Sequence, residues 1–449
     1  MTLHGETIGM VTVDIGQLLD RGRWGGYQTW LIFLTAVTII FDGIDNQLLG
    51  ISIPMIMKEW TVARAAFAPV VSLGYVGMMM GGAGGGLAGD RFGRRTALLG
   101  SMVVFGAMTL GAAFVPSVGA LAALRLLAGI GLGGALPNAA TLAAEYMPLK
   151  RRPLAVTIAI VCVPLGATLA GILGIRALPA VGWRMLFILG GVVPIVAAAL
   201  LMLVMPESPR YLARHPARWP ELVRLLRRMG HSQDDDTSFV DPREHVATRA
   251  PLSALFMRDI RGDTFALWGS FFFCLLAVYL GFSWLPAMLT GAGFTPAIAS
   301  TGITAFNLGG VVGAITGGLV ISRVGSRAAM LTMAAGAIAG AVTLSRMTIA
   351  PAESLITLLV MLTLTGGLIN AVQTTMYALA TNVYPSAVRA TGVGTAVAVG
   401  RLGAILSGYA GAWALEYRGS VSYFVMMGAA MAMCFVALAL VGRHVRASQ

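Results

Sequence analysis

Long apolar stretches alternate with short polar segments along almost the whole chain. A helix needs about 20 apolar residues to cross roughly 30 Å of hydrocarbon. Twelve stretches reach that length, near 28–56, 67–88, 96–115, 119–146, 154–178, 184–205, 264–289, 297–321, 328–348, 354–380, 391–415 and 420–442. The pattern predicts an all-α membrane protein with twelve transmembrane helices.

A single long polar segment separates the sixth predicted span from the seventh. Its arginines and aspartates are typical of a solvated linker. The predicted organisation is an N-terminal segment (1–27), a six-helix bundle (28–205), a linker (206–262), a second six-helix bundle (263–442) and a tail (443–449).

A polar signature between the second and third spans recurs between the eighth and ninth. GGLAGDRFGRR at Gly85–Arg95 returns as GGLVISRVGSR at Gly317–Arg327, 232 residues later. Pro148 and Pro385, in a second matched pair, lie 237 residues apart. Such duplication predicts two pseudo-symmetric bundles, with a substrate site where the halves meet, as in membrane transporters.

Composition and charge support this membrane interpretation. The chain is 57% hydrophobic and 11% charged, with a net charge of +12. If both termini are cytoplasmic, 23 of the 31 Lys and Arg residues lie inside, as the positive-inside rule requires. The basic charge therefore indicates topology, and we expect no nucleic-acid partner.

The chain lacks the motifs of several other function classes. Its five histidines fall outside the predicted spans, and its three cysteines have no CxxC spacing. No phosphate-binding GxxxxGK[ST] or nucleophile elbow occurs. We therefore expect no enzyme activity, no catalytic residues, no cofactor, no metal site and no ATP-driven transport.

Four ionisable residues lie where charge is costly, within the spans. Asp42 and Asp45 are three positions apart in the first span and share a helix face. Because burial and a like-charged neighbour both favour the neutral form, they are candidates for proton transfer. Ion pairing or a helix-end position are the structural alternatives. Arg125, in the fourth span, is a candidate partner for one of these aspartates.

Arg401 lies in the eleventh span, and no span of the second half contains an acidic residue. A guanidinium without a protein carboxylate favours an anionic ligand. Snorkelling or backbone capping is the alternative.

Several motifs resemble those of one transporter family. GDRFGRR at Gly89–Arg95 resembles the signature of the major facilitator superfamily. Within it, the chain resembles the aromatic acid:H+ symporters in its DGxD at Asp42–Asp45, its PESPRYL at Pro206–Leu212 and its RATGVG and GRLGAI segments, which begin at Arg389 and Gly400.

The resemblance implies roles for particular residues. Asp42 and Asp45 would be essential first-helix aspartates, and Arg125 and Glu145 would join them in proton coupling. Asp90, Arg91 and Arg94 would form an inner gate, which Ser322 weakens in the second copy by replacing the aspartate. The candidate substrate-binding residues are Arg401, Asn138, Trp284, Gln373 and Tyr377. Interfacial placement of the aromatic residues and helix joining by the amides are the alternatives.

The expected function is proton-coupled import of an aromatic carboxylate by alternating access across a bacterial inner membrane. The expected partners are the substrate, protons and membrane lipid, and the expected state is a monomer. The alternatives are a symporter of another organic acid such as muconate or nicotinate, a proton-coupled exporter, and a receptor on a transporter scaffold.

Overall fold

A computed structural model of the chain describes residues 12–232, 234, 237–241, 252–385 and 388–445. Among these residues, eleven helices are long and apolar enough to cross a membrane. They are α2 (Gly26–Trp60), α3 (Ala68–Phe92), α4 (Arg94–Ala112), α5 (Val118–Glu145), α6 (Arg152–Val204), α9 (Arg261–Gly291), α10 (Pro296–Val324), α11 (Ser326–Arg346), α12 (Leu355–Val383), α13 (Arg389–Arg418) and α14 (Ser420–Leu440).

Helix α6 contains the fifth and sixth predicted spans. Its 53 residues would extend about 80 Å if straight, far more than a bilayer needs. Gly182 breaks the helix, with φ 75° and ψ 176°. Gly419, 237 residues later, separates α13 from α14 with φ 60°. The same glycine turn therefore ends the fifth and the eleventh span.

Glycines bring equivalent helices of the two bundles into backbone contact. A Cβ added at Gly77 or Gly81 of α3 would lie 2.1 or 2.0 Å from carbonyl oxygens of α5. A Cβ added at Gly309 or Gly313 of α10 would lie 1.9 or 2.0 Å from carbonyl oxygens of α12. Both pairs are related by the 232-residue repeat, so the duplication includes the packing.

Part of the predicted linker is folded. It contributes α7 (Pro209–Ala213), α8 (Trp219–Arg228) and strand β2 (Ser238–Val240). Near the N-terminus, β1 (Thr12–Asp14) pairs with β2 in parallel, and α1 (Ile15–Arg21) follows. Their buried side chains form one small apolar core, whose members are Ile15, Leu19, Leu212, Ala213, Leu222, Val223, Leu225, Leu226, Met229 and Phe239. We call the end of the bundles that carries this layer the linker end, and the opposite end the far end.

Candidate functional site

A buried ion pair lies inside the N-terminal bundle. Asp45 Oδ2 of α2 is 3.3 Å from Nη1 of Arg125 in α5, and the two side chains are 1% and 5% exposed. Thr109 of α4 donates a hydrogen bond to Asp45 and accepts one of 2.6 Å from Arg125. The guanidinium lies 5.3 Å from the centroid of the Phe187 ring. Asp45 and Arg125 thus neutralise each other within one bundle.

Asp42, one turn earlier on α2, has different surroundings. Its side chain is buried, and its Oδ1 has no hydrogen-bond partner among the described residues. Arg401 of α13 attracts Asp42, whereas Asp45 repels it. Between the aspartates, a Cβ added at Gly43 would lie 2.2 Å from Val163 O of α6. Helix α2 therefore carries one paired aspartate and one whose attractive partner belongs to the other bundle.

Arg401 lies at the interface between the bundles. Its Nη1 donates a hydrogen bond of 2.7 Å to the Tyr279 hydroxyl of α9, and it lies 3.8 Å from Met78 Sδ of α3. No carboxylate of the described residues forms an ion pair with it. A guanidinium has five N–H donors. Arg401 therefore keeps donors for an anion.

Aromatic rings from both bundles surround this arginine. Tyr75 of α3 and Tyr279 have ring centroids 4.5 Å apart at an angle of 57°. Tyr377 of α12 interacts electrostatically with Arg401 and meets the ring of Phe271 edge-on at 5.4 Å. The group offers a cation and ring faces, a combination that suits an aromatic anion.

A cavity of about 30 Å³ lies beside this group. Arg125, Tyr75, Met78, Asn46 and Ser283 contribute to its wall. A cavity that holds benzene measures roughly 150 Å³, whereas one water needs roughly 10–15 Å³. This cavity therefore has room for water but not for a ring in the described conformation.

Amide hydrogen bonds join the bundles toward the far end. Gln47 of α2 donates from Nε2 to Phe282 O of α9 at 2.9 Å. Its Oε1 accepts from Nδ2 of Asn307 in α10 at 3.1 Å. All three residues are buried. We call Gln47 and Asn307 the amide clasp.

Hydroxyl groups strengthen the same region. Ser72 of α3 donates to Ile405 O of α13 at 2.7 Å, and the Tyr75 hydroxyl lies 2.6 Å from Ser283 Oγ. Nearer the membrane surface, Arg64 donates to Leu415 O at 3.3 Å. Every hydrogen bond between the bundles that involves these residues or the clasp lies on the far side of Met78 and Arg401. The far end is therefore closed.

The predicted gate residues lie at the linker end of the N-terminal bundle. Asp90 and Arg94 form an ion pair, and Arg94 also reaches Asn138 Oδ1 at 3.5 Å. Asn138 donates to Gly85 O and Gly134 O, both at 2.8 Å, and so joins α5 to α3. Arg91 is exposed.

Glu145, at the end of α5, contacts the folded linker. It accepts a hydrogen bond from Ser208, and Arg94, Arg210 and Arg214 attract it. Arg210 and Arg214 also pair with Asp241, at 3.4 and 3.2 Å. The linker is thus attached to the N-terminal bundle by charges of both signs.

Glu207, which the sequence analysis did not single out, closes the turn between α3 and α4. It accepts hydrogen bonds from the backbone N–H groups of Arg95 and Ser208, both at 2.9 Å. Gly93 in this turn has φ 99°, and an added Cβ would lie 2.2 Å from Glu207 Oε2. The only sequence signal for this role was its place in the PESPRYL motif.

Two further predicted substrate contacts lie in the C-terminal bundle. Trp284 is fully buried, and its Nε1 donates to Ser407 O at 3.1 Å, which joins α9 to α13. Gln373 of α12 is half-buried, one helical turn before Tyr377. The roles assigned to Trp284, Gln373, Asn138 and Glu145 stay predictions.

Comparisons with known proteins give the family. The family model of the Major Facilitator Superfamily matches residues 35–350 and 267–449. The chain is 34% identical to the gallate transporter of Pseudomonas putida over 399 residues, 89% of this chain and 88% of that one. It is 33% identical to the 4-hydroxybenzoate transporter PcaK of Pseudomonas putida over 408 residues, 89% of each chain.

A solved structure shows the same fold. The inward open conformation of the xylose transporter XylE from E. coli superposes with a TM-score of 0.75 at 17% identity, covering 93% of this chain and 97% of that one. The predicted all-α fold of twelve transmembrane helices in two bundles is confirmed. The family and these relatives are transporters and not enzymes. The chain belongs to the major facilitator superfamily and spans the membrane.

Proposed function

We propose that this protein imports an aromatic carboxylate together with protons, by alternating access across a bacterial inner membrane, with both termini in the cytoplasm. The observation that carries the proposal is Arg401, an arginine inside the membrane, between the two bundles, with tyrosine rings around it and no ion-paired carboxylate.

Arg401 is the proposed anchor of the substrate carboxylate. The planar guanidinium donates two parallel hydrogen bonds to a carboxylate, a geometry that an ammonium cannot reproduce. Tyr75, Tyr279 and Tyr377 would contact the ring of the substrate. The similar transporters are named for gallate and 4-hydroxybenzoate, and both compounds combine a benzene ring with a carboxylate.

Asp42 is the proposed proton carrier, because its charge is coupled to the same arginine. Arg401 attracts the ionised form of Asp42 across the bundle interface. A substrate carboxylate bound to Arg401 would compete with that attraction, so Asp42 would hold a proton more readily. By reciprocity, a protonated Asp42 would leave Arg401 freer to bind the anion. Proton and substrate would therefore bind together.

Membrane energetics favour this stoichiometric association. A lone anion that enters an inside-negative cell works against about 2.3 kcal/mol per 100 mV. A proton that moves with it cancels this cost, and a pH gradient adds drive.

The closed far end supports alternating access. With the linker end in the cytoplasm, as the basic residues there favour, the described conformation would be closed to the outside. Opening it would require the amide clasp and the Ser72 and Tyr75 bonds to break. Asp90 and Arg94 would act in the opposite state, at the cytoplasmic gate.

Flux measurements in proteoliposomes test the proposal. We expect labelled 4-hydroxybenzoate to accumulate against its gradient when the outside is more acidic, and a protonophore to abolish this accumulation. Uptake of muconate or nicotinate but not of aromatic acids would indicate another organic acid. Proton-driven efflux alone would indicate an exporter, and binding without counterflow would indicate a receptor.

A further inference from the structure

A pocket of about 220 Å³ lies where three membrane spans meet the linker layer. Tyr27 in the first turn of α2, Arg95 in the first turn of α4 and Leu203 in the last turn of α6 line it. Because each of these residues lies within one turn of a span's end, the pocket is at the boundary of the hydrocarbon region. Helix α8 closes its outer side through Arg224 and Arg228.

The charge of this pocket is positive and largely unused. Arg224 and Arg228 have no ion pair or hydrogen bond among the described residues. They lie one turn apart on α8, and like charges at that spacing disfavour a helix unless an anion lies between them. The acidic lining residue, Glu221, already accepts two hydrogen bonds from Arg218, at 3.0 and 2.8 Å.

One wall of the pocket continues into the lipid-facing surface of α6. Leu203 is 81% exposed, and Val196 and Leu200, one and two turns earlier, are also exposed. Exposed aliphatic side chains at helical spacing on a membrane span face acyl chains. Hydrocarbon contact therefore lies directly beside the arginines.

We propose that Arg95, Arg224 and Arg228, the interfacial arginine pocket, bind the phosphate headgroup of an anionic membrane phospholipid. One acyl chain of that lipid lies along Val196, Leu200 and Leu203. Arginine binds phosphate oxygens through paired N–H groups. Basic pockets at the ends of membrane helices suit anionic headgroups. Bound lipid would hold α8, and with it the linker layer, to the end of α6.

Native mass spectrometry of the full-length protein tests this proposal, with phosphatidylglycerol and phosphatidylcholine in equal amounts. We expect phosphatidylglycerol to be retained preferentially. Each arginine near an anionic surface contributes about fivefold, so Arg224→Gln with Arg228→Gln should weaken retention about 25-fold. A matched double variant, Arg261→Gln with Arg323→Gln, removes two exposed arginines from the linker end of the other bundle and should retain the lipid.

Further arms identify the ligand. Leu203→Gln should weaken retention of long-chain phosphatidylglycerol more than that of a short-chain form. Equal loss in both double variants, or no preference in wild type, would overturn the proposal, because general surface attraction would then suffice. Displacement by soluble glycerol phosphate as effective as displacement by phosphatidylglycerol would also overturn it, in favour of a soluble anion.

Discussion

Asp42 of α2 and Arg401 of α13 attract each other across the bundle interface without forming an ion pair. By contrast, Asp45 is held by Arg125 within its own bundle. The two aspartates of the DGxD motif therefore have separate surroundings. We expect Asp42 to exchange protons and Asp45 to maintain the structure of the N-terminal bundle.

Asp42→Asn should abolish proton-driven accumulation while substrate exchange continues, because a neutral amide cannot load and release a proton. The measurement is uptake under a pH gradient alongside counterflow at equal pH in the same proteoliposomes. Normal accumulation by the variant would exclude Asp42 from coupling.

Asp45→Asn should destabilise the protein by about 3–5 kcal/mol, because it leaves the buried Arg125 charge unpaired. Thermal melting in detergent would measure the loss. Combining it with Arg125→Gln should restore much of the stability, since both charges are then removed. A double variant no more stable than the single variant would contradict this assignment.

Arg401→Lys should weaken binding of an aromatic acid despite retaining the charge. Loss of one charge-assisted hydrogen bond, about 1.5–3 kcal/mol, corresponds to a tenfold to hundredfold weaker Kd. Calorimetry in detergent should compare the acid with its amide analogue. The amide should bind poorly to wild type and change little in the variant, whereas equal weakening of both ligands would make Arg401 a packing residue.

Gln47→Leu should open the far end. The change removes two buried hydrogen bonds, each contributing about 0.5–1.5 kcal/mol, so the open population should rise roughly tenfold. Spin labels at Thr61→Cys and Ala292→Cys would report longer distances, and the three native cysteines are buried. An unchanged distance distribution would mean that other contacts decide closure.

Gly93→Ala should impair folding far more than Gly86→Ala in the same signature. Gly93 has a left-handed backbone and no space for a Cβ beside Glu207, whereas a Cβ added at Gly86 meets nothing within 4 Å. The backbone conformation alone costs Ala about 1–2 kcal/mol. Yields of membrane-inserted protein and melting temperatures would measure the difference, and equal behaviour of the two variants would refute the packing argument.

The sequence predicted the features that depend on local pattern. Span lengths follow from hydrophobicity, and the duplication extends to the conformation of Gly93 and Gly325, both with positive φ. The contacts of the site depend instead on which helices are neighbours and how each is rotated. Thr109, the shared partner of Asp45 and Arg125, lies in an unremarkable apolar span, so no sequence signal indicated it.

Charged and aromatic residues were found because they are costly or large, but their roles needed geometry. Arg125 had an aspartate as a predicted alternative partner, and only the structure selects Asp45 over Asp42. Trp284 could have faced a ligand, yet its indole N–H bonds to a backbone carbonyl in a packed interface. Tyr75 was not singled out, because one tyrosine in a glycine-rich span gives no indication of the helix it will contact.

The division of the linker limits how far the two halves can separate. Residues up to Asp241 are attached to the N-terminal bundle, whereas Leu255, in the short helix Leu252–Phe256, packs in the core beside α9. Between Asp241 and Leu252 the chain has ten residues, 242–251. Fully extended, these span at most about 35–40 Å. This tether length sets the largest cytoplasmic opening available without detaching the folded layer, and shortening it by a few residues would restrict the amplitude of the transport cycle before it affected either bundle.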